Sequence, residues 1–170
     1  MSIHFVPVKT RKQIKALAVM ADLIWHEYFP CILSGEQIDY MVRTFQSAPA
    51  IAEQIAQQGY QYFFMETDGM NVGYTCVRKD TNRLFISKIY LMKEARGRGY
   101  AGEAFRFYEN LCREKNLTVI WLTVNRNNLG AIRVYEAKGF KTVRTQVADI
   151  GSGFVMDDYV MEKYLDTATD

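Results

Sequence analysis

The sequence predicts a single α/β domain of the α+β kind over residues 1–170, and three observations carry that reading. Hydrophobic residues recur at helical spacing as far as Gln57, then switch at Tyr60 to the two-residue period of strands. Three strand-like runs then follow one another with turn residues and no helix between them. Beyond them, Arg96-Gly97-Arg98-Gly99-Tyr100-Ala101 separates an apolar, β-branched run (Leu84 to Met92) from a new amphipathic helical pattern. A doubly wound dinucleotide domain would alternate strand and helix from its start, which this chain does not.

His4-Phe5-Val6-Pro7-Val8 alternates as a short first strand. Thr10 suits the N-cap of a helix whose apolar face is Ile14, Leu17, Ala18, Ala21 and Ile24, ending near Tyr28-Phe29-Pro30. Ser34 and Gln37 are spaced as a capping box for a second helix that turns Ile38, Met41, Val42 and Phe45 inward. A third helix is expected from Ala50 to Gln57. Strands Tyr60 to Glu66 and Val72 to Arg78 flank Thr67-Asp68-Gly69-Met70-Asn71, where Asp-Gly favours a hairpin. Leu84 to Met92 completes an antiparallel meander. The next helix should run from Gly99 to Lys115 and bury Ala101, Ala104, Phe105, Tyr108, Leu111 and Cys112. Strand Thr118 to Val124 and helix Asn128 to Lys138 follow, with Gly139 as the helix stop. Two last strands, Lys141 to Ala148 and Phe154 to Leu165, flank a flexible loop at Asp149 to Gly153.

Composition narrows the function classes. Hydrophobic residues make up 49% of the chain and the formal net charge is only +2, which argues for a packed enzyme-like core and against a nucleic-acid partner. The N-terminal residues lack the basic start and apolar stretch of a signal peptide, and no segment is apolar enough for a membrane span, so a cytoplasmic location is expected. Cys31, Cys76 and Cys112 form no metal-like pair and His4 and His26 are the only histidines; reduced thiols and no metal are expected.

The arginine–glycine turn reads as a phosphate cradle, because glycines let successive N–H groups converge and the following helix adds the positive end of its dipole. Gly97, Gly99 and Gly102 also satisfy the dinucleotide pattern. That pattern expects the turn directly after a strand and a carboxylate at the end of the next one. Here Lys93-Glu94-Ala95 intervenes, and the next strand runs into Asn125. A Walker A loop is excluded, since no Gly-Lys-Ser/Thr follows. What remains is Arg-x-x-Gly-x-Ala, with Arg96, Gly99 and Ala101 as its letters.

Read with Asn128-Leu129-Gly130-Ala131-Ile132-Arg133-Val134-Tyr135 and Gly139-Phe140 downstream, this spelling resembles the GCN5-related N-acetyltransferase (GNAT) superfamily, over roughly residues 60 to 165. The resemblance implies a mixed, twisted sheet with helices on both faces and a splayed parallel strand pair that forms the acetyl-CoA slot. It implies pantetheine along the backbone of Ile89, Tyr90 and Leu91, pyrophosphate on Arg96, Gly97, Arg98, Gly99, Tyr100 and Ala101, and Asn128 on the pantetheine arm. It implies Tyr135 as the general acid for the departing thiolate. A phenol of reference pKa about 10 stays protonated at neutral pH and can serve a thiol near about 8.5.

The acceptor amine must lose a proton. Many members of the superfamily carry a glutamate on the strand before the cradle, but Leu84 to Met92 holds Lys88 and no carboxylate. The candidates for taking that proton are Glu27 with His26, Asp157 or Asp158, or a water relay. Trp25-His26-Glu27-Tyr28-Phe29 and Tyr40-Met41-Val42-Arg43 read either as walls of the acceptor site or as core, with Trp25 and Met41 assigned to core. Paired acids beside Asp149 to Gly153 suit a cationic acceptor. Lys88-Ile89-Tyr90-Leu91 and the last strand resemble the bacterial branch that holds spermidine and spermine acetyltransferases. A small-molecule amine such as a polyamine is therefore the expected substrate. A protein or peptide N-acetyltransferase and a non-catalytic acyl-CoA sensor stay open beside it. Tyr159, Val160, Met161 and Tyr164 suggest an apolar final strand that a homodimer would cover.

Overall fold

A computed structural model describes residues 2–166. The described residues pack as two compact units, 2–78 with Lys88–Glu103, and Lys79–Ser87 with 104–166.

The first unit begins with β1 (His4–Pro7), α1 (Arg11–Tyr28), α2 (Gly35–Phe45) and α3 (Ala48–Gln57). Thr10 closes a reciprocal capping box with Gln13, and the Ser34 hydroxyl accepts from the Gln37 N–H, each satisfying an N–H that the first helical turn leaves without a partner. The third helix starts at Ala48 rather than Ala50, because Ser47 caps it and Pro49 sits in its first turn, where a missing N–H costs nothing. β2 (Tyr60–Thr67) and β3 (Met70–Lys79) then form an antiparallel hairpin. Its loop is only Asp68 and Gly69, at φ 51° and 74°, so the five-residue turn expected from sequence closes into two residues with left-handed backbone. β4 (Arg83–Leu91) ends in this unit, followed by a single 3₁₀ turn (Lys93–Ala95) and the first turn of α4 (Tyr100–Lys115).

Leu17, Ala21, Ile24 and Trp25 of α1 are buried, as are Met41 of α2, Ile51 of α3, and Tyr62, Met65 and Tyr74 of the hairpin. Through that core runs a line of polar groups. The Trp25 indole donates to the Tyr74 hydroxyl (2.9 Å), which donates to Gln46 Oε1 (2.6 Å). Gln46 Nε2 donates to the Tyr62 hydroxyl (2.9 Å), which donates to Gln54 Oε1 (2.5 Å). Buried polar atoms are tolerated when each has a partner, and this line ties α1, α2 and α3 to β2 and β3.

The second unit holds the start of β4, the rest of α4, then β5 (Val119–Asn125), α5 (Leu129–Ala137), β6 (Lys141–Gly151) and β7 (Phe154–Tyr164). β4 and β5 run parallel, from Arg83 beside Val119 to Ile86 beside Leu122. β7 is antiparallel to both β5 and β6. Hydrogen-bonded neighbours follow the order β1-β2-β3-β4-β5-β7-β6, so the seven strands form the mixed sheet that the resemblance implied, flanked by helices.

Two expectations about the C-terminal strands are corrected. Asp149 to Gly153 is not a flexible loop, since the ladder continues to Gly151 and Phe154 and closes on Ser152 and Gly153 at φ 53° and 80°. Nor is β7 an exposed apolar edge: it lies between β5 and β6, and Val160 and Met161 are buried.

The register assigns side chains of this unit to two faces. Ile120, Leu122 and Val124 share one face with Lys163, Met161 and Tyr159, and a Glu109–Lys163 ion pair of 2.9 Å sets α4 over it. There α4 buries Ala104, Phe105, Tyr108 and Cys112. Trp121, Thr123 and Asn125 point the other way, together with Glu162, Val160 and Asp158.

Candidate active site

The residues picked out in the sequence fall into two groups, one in each unit. In the first unit are the end of β4, the cradle turn and the last turn of α1. Gly97 and Gly99 take φ 78° and 83°, and a Cβ on either would meet nothing within 4 Å, so glycine is required there for its backbone freedom and not for space. The turn leads into the first turn of α4, where the N–H groups of a helix have no intrahelical acceptor. Donors of that kind at the start of a sixteen-residue helix are a fitting seat for phosphate oxygens.

The Arg96 side chain is already committed. Its Nη1 and Nη2 donate to Glu27 Oε2 (3.1 Å) and Oε1 (2.5 Å), its Nε and Nη2 donate to the Leu91 carbonyl (3.2 and 3.1 Å), and the guanidinium lies 5.1 Å from the Tyr28 ring centre. It is a clamp between α1 and the end of β4, which leaves the exposed Arg98 as the turn's outward cation. The hydrogen bond from Arg96 holds the Glu27 carboxyl below its ordinary pKa, a poor setting for a proton acceptor. His26 is engaged too, with Nε2 2.6 Å from Asp39 Oδ1 and Nδ1 2.9 Å from the Asp22 carbonyl. The Asp39 bond, with help from Asp22, raises its pKa.

Tyr90 packs its ring into an aromatic group, 5.5 Å from Trp25, 5.7 Å from Tyr74 and 5.8 Å from Phe29. Trp25, Phe29 and Met41 are buried, so these members of the aromatic segments are core. Burial lowers the pKa of the Lys88 ammonium, while the Lys88 carbonyl accepts from Thr75 Oγ1 at 2.7 Å. Gly73 was not singled out in the sequence. A Cβ there would lie 2.3 Å from the Tyr90 carbonyl oxygen and 3.0 Å from Leu91 Cα, so only glycine lets β3 approach this part of β4. The available signal was a glycine inside a strand pattern, Asn71-Val72-Gly73-Tyr74.

In the second unit Asn128 is the N-cap of α5 and not its first helical residue: its buried side chain accepts from the Ala131 N–H at 3.4 Å. Tyr135 is half-buried, its ring 6.0 Å from both Phe105 and Phe140. The paired acids of β7 differ sharply. Asp157 sits 2.9 Å from Arg126 Nε, a close charge contact without hydrogen-bond alignment. Asp158 is only 5% exposed, and its buried Oδ1 has no hydrogen-bond partner. Burial, and secondarily the Asp157 charge, pushes its pKa up to about 6. Among the described residues, no three His, Cys, Asp or Glu side chains gather as a metal site, and no helix is long and apolar enough to cross a membrane.

The mixed sheet with its parallel β4–β5 pair, and the arginine–glycine turn ahead of α4, are what the resemblance to the acetyl-CoA-dependent N-acetyltransferases implied. The sequence pattern of the Acetyltransferase (GNAT) family matches residues 18–140, and the chain belongs to that family. An uncharacterized N-acetyltransferase of Lactobacillus delbrueckii subsp. lactis is 30% identical over 120 residues, 66% of this chain and 69% of the relative. An uncharacterized N-acetyltransferase of Mycobacterium bovis is 28% identical over 137 residues, 80% of this chain and 87% of that protein. The fold is shared with PaiA N-acetyltransferase from Thermoplasma acidophilum, solved in complex with coenzyme A (TM-score 0.78, 20% identity, 96% and 99% of the two chains). It is shared too with a GCN5-related N-acetyltransferase from Rhodopseudomonas palustris (TM-score 0.80, 15% identity, 97% of each chain). This protein is accordingly an N-acetyltransferase that uses acetyl-CoA.

Proposed function

We propose that the protein transfers the acetyl group of acetyl-CoA to a primary amine on a small cationic molecule, with a polyamine as the leading acceptor. The observation that carries the cofactor half is the turn from Gly97 to Ala101, whose two left-handed glycines lead its N–H groups into the start of α4. These donors and Arg98 would take the pyrophosphate, the backbone of Ile89, Tyr90 and Leu91 would pair with the pantetheine amides, and the Asn128 side chain would hold the same arm. Acetyl-CoA supplies an activated thioester. Tyr135, whose ring packs beside Phe105 and Phe140, would hold the proton that the departing thiolate needs.

Glu27, one of the proton acceptors expected from sequence, is proposed here as the residue that positions Arg96 and, through it, the Leu91 carbonyl. The cationic acceptor is supported by the unpaired carboxylate of Asp158, since Asp157 is held by Arg126. Acetyl-CoA-dependent thiol release measured with spermidine, spermine, short diamines, amino acids and N-terminal peptides tests the reading. Saturable release with a polyamine supports it. Release only with peptides moves the acceptor to a protein N-terminus, and tight acetyl-CoA binding without release to any amine replaces the enzyme reading with a sensor.

A further inference from the structure

We propose that Asp158 is the proton acceptor for the incoming amine, working from the face of the β5–β7 pair opposite the one that α4 covers. The inference deepens the acetyl-transfer reading and rests on it. It begins with a carboxylate that the fold does not explain. Asp158 is 5% exposed on a central strand, and its Oδ1 is buried without a hydrogen-bond partner, although buried carboxylate oxygens in native proteins are nearly always paired. No structural interaction accounts for the charge, whereas the competing acceptors are all engaged: Glu27 with Arg96, His26 with Asp39, and Asp157 with Arg126.

The register supplies the geometry. Asp158 is opposite Asn125 on β5 and Gln146 on β6, and shares its face with Thr123 and Trp121. The charged groups around it are few. Asp157 is beside it on β7, and Arg126 follows Asn125 and is drawn to Asp157 and the Tyr159 ring. On β6, Arg144 donates to Gln146 Oε1 at 3.1 Å. Farther along the same face, Glu162 is paired with Arg83 at 3.2 Å. None of these cations is hydrogen-bonded to Asp158, so its carboxylate keeps the basicity that burial confers, with a pKa of about 6. A base of that strength is ionised at neutral pH and still able to take a proton.

In the transfer step the amine nitrogen bonds to the thioester carbonyl carbon as one of its protons passes to Asp158. The carbon–sulfur bond then breaks, sulfur keeps the electron pair, and the thiolate takes the Tyr135 proton. Solvent afterwards removes the proton from Asp158 and restores that of Tyr135, so the net change is amine plus thioester to amide plus thiol. Tyr135 packs against Phe105 of α4, the helix on the far side of β5 and β7 from Asp158. A nucleophile and a leaving group that are served from opposite faces need no shared residue.

The test is the pH dependence of kcat/KM for wild type, Asp158→Asn, Asp158→Glu and Asp157→Asn with acetyl-CoA and the best amine of the panel, alongside acetyl-CoA affinity by calorimetry. The expected result is an acidic limb near pH 6 in wild type and Asp157→Asn, its loss in Asp158→Asn together with a roughly 100-fold or larger fall in kcat, and its partial return in Asp158→Glu. Acetyl-CoA affinity should stay within about threefold across the set. An Asp158→Asn enzyme that keeps the limb and a near wild-type kcat overturns the proposal while leaving the acetyl-transfer reading standing. Wild type that binds acetyl-CoA and acetylates no amine overturns both.

Discussion

Gly73 and Tyr90 lie so close across β3 and β4 that a Cβ on Gly73 would stand 2.3 Å from the Tyr90 carbonyl oxygen. The contact falls on the stretch of β4 whose backbone is proposed to receive the pantetheine arm. It makes one hydrogen atom a determinant of the strand's path.

Gly73→Ala should therefore force the backbone of Tyr90 and Leu91 aside, since a carbonyl oxygen cannot swing away as a flexible side chain would. A loss of about 3 kcal/mol is expected, at the upper end of overpacking costs. Urea denaturation would read the stability, and the acetyl-CoA KM should rise by tenfold or more. A variant with wild-type stability and KM would show that the approach is not needed.

Glu27→Gln separates positioning from proton transfer. The pair is partly solvated, with about a third of each side chain exposed, so its removal should cost only about 0.5–1 kcal/mol. If Glu27 acts through Arg96 and the Leu91 carbonyl, KM for acetyl-CoA rises several-fold while kcat and its acidic limb persist. Loss of that limb in Glu27→Gln would return it to the role of base.

Tyr135→Phe removes a hydroxyl and keeps the ring that packs on Phe105 and Phe140. Thermal stability should hardly move, and kcat should fall about 100-fold with acetyl-CoA KM retained. Undiminished turnover would dismiss the tyrosine as the acid.

Asp158 should also register in stability, with a sign opposite to that of an ordinary paired carboxylate. Its folded pKa of about 6 lies above the ordinary aspartate value of 3.8, so between those values the native state holds the proton more firmly than the unfolded chain. Stability is then greatest below the lower value and declines as pH rises through the higher one. The shift corresponds to at most about 3 kcal/mol at neutral pH. Asp158→Asn should raise Tm at pH 8 and flatten its dependence between pH 4 and 6. A lower Tm across that range would mean that the carboxylate has a structural partner.

Much of the fold follows from local chemistry and was legible in the chain. The caps at Thr10 and Ser34 work through side chains three residues from the N–H they satisfy, the Asp-Gly turn works through two backbone angles, and the period change at Tyr60 marks where helices give way to strands. The cradle belongs to the same class, because Gly97 and Gly99 are selected by φ alone. That is why the sequence by itself points to the GNAT family.

What sequence could not assign were properties created by distant partners. Arg96 reads as a free cation beside a phosphate turn until Glu27, far back in the chain, is found paired with it. Asp157 and Asp158 are indistinguishable as neighbours in a string, and only the alternation of β7 and the packing of β5 and β6 make one an ion-pair partner and the other a buried, unpaired carboxylate. The sequence by itself determined the elements, their order and the arginine–glycine turn, because each depends on residues within a turn or two of one another. The tertiary structure alone decided which charges are neutralised and which are left to act, because burial and pairing depend on residues tens of positions away.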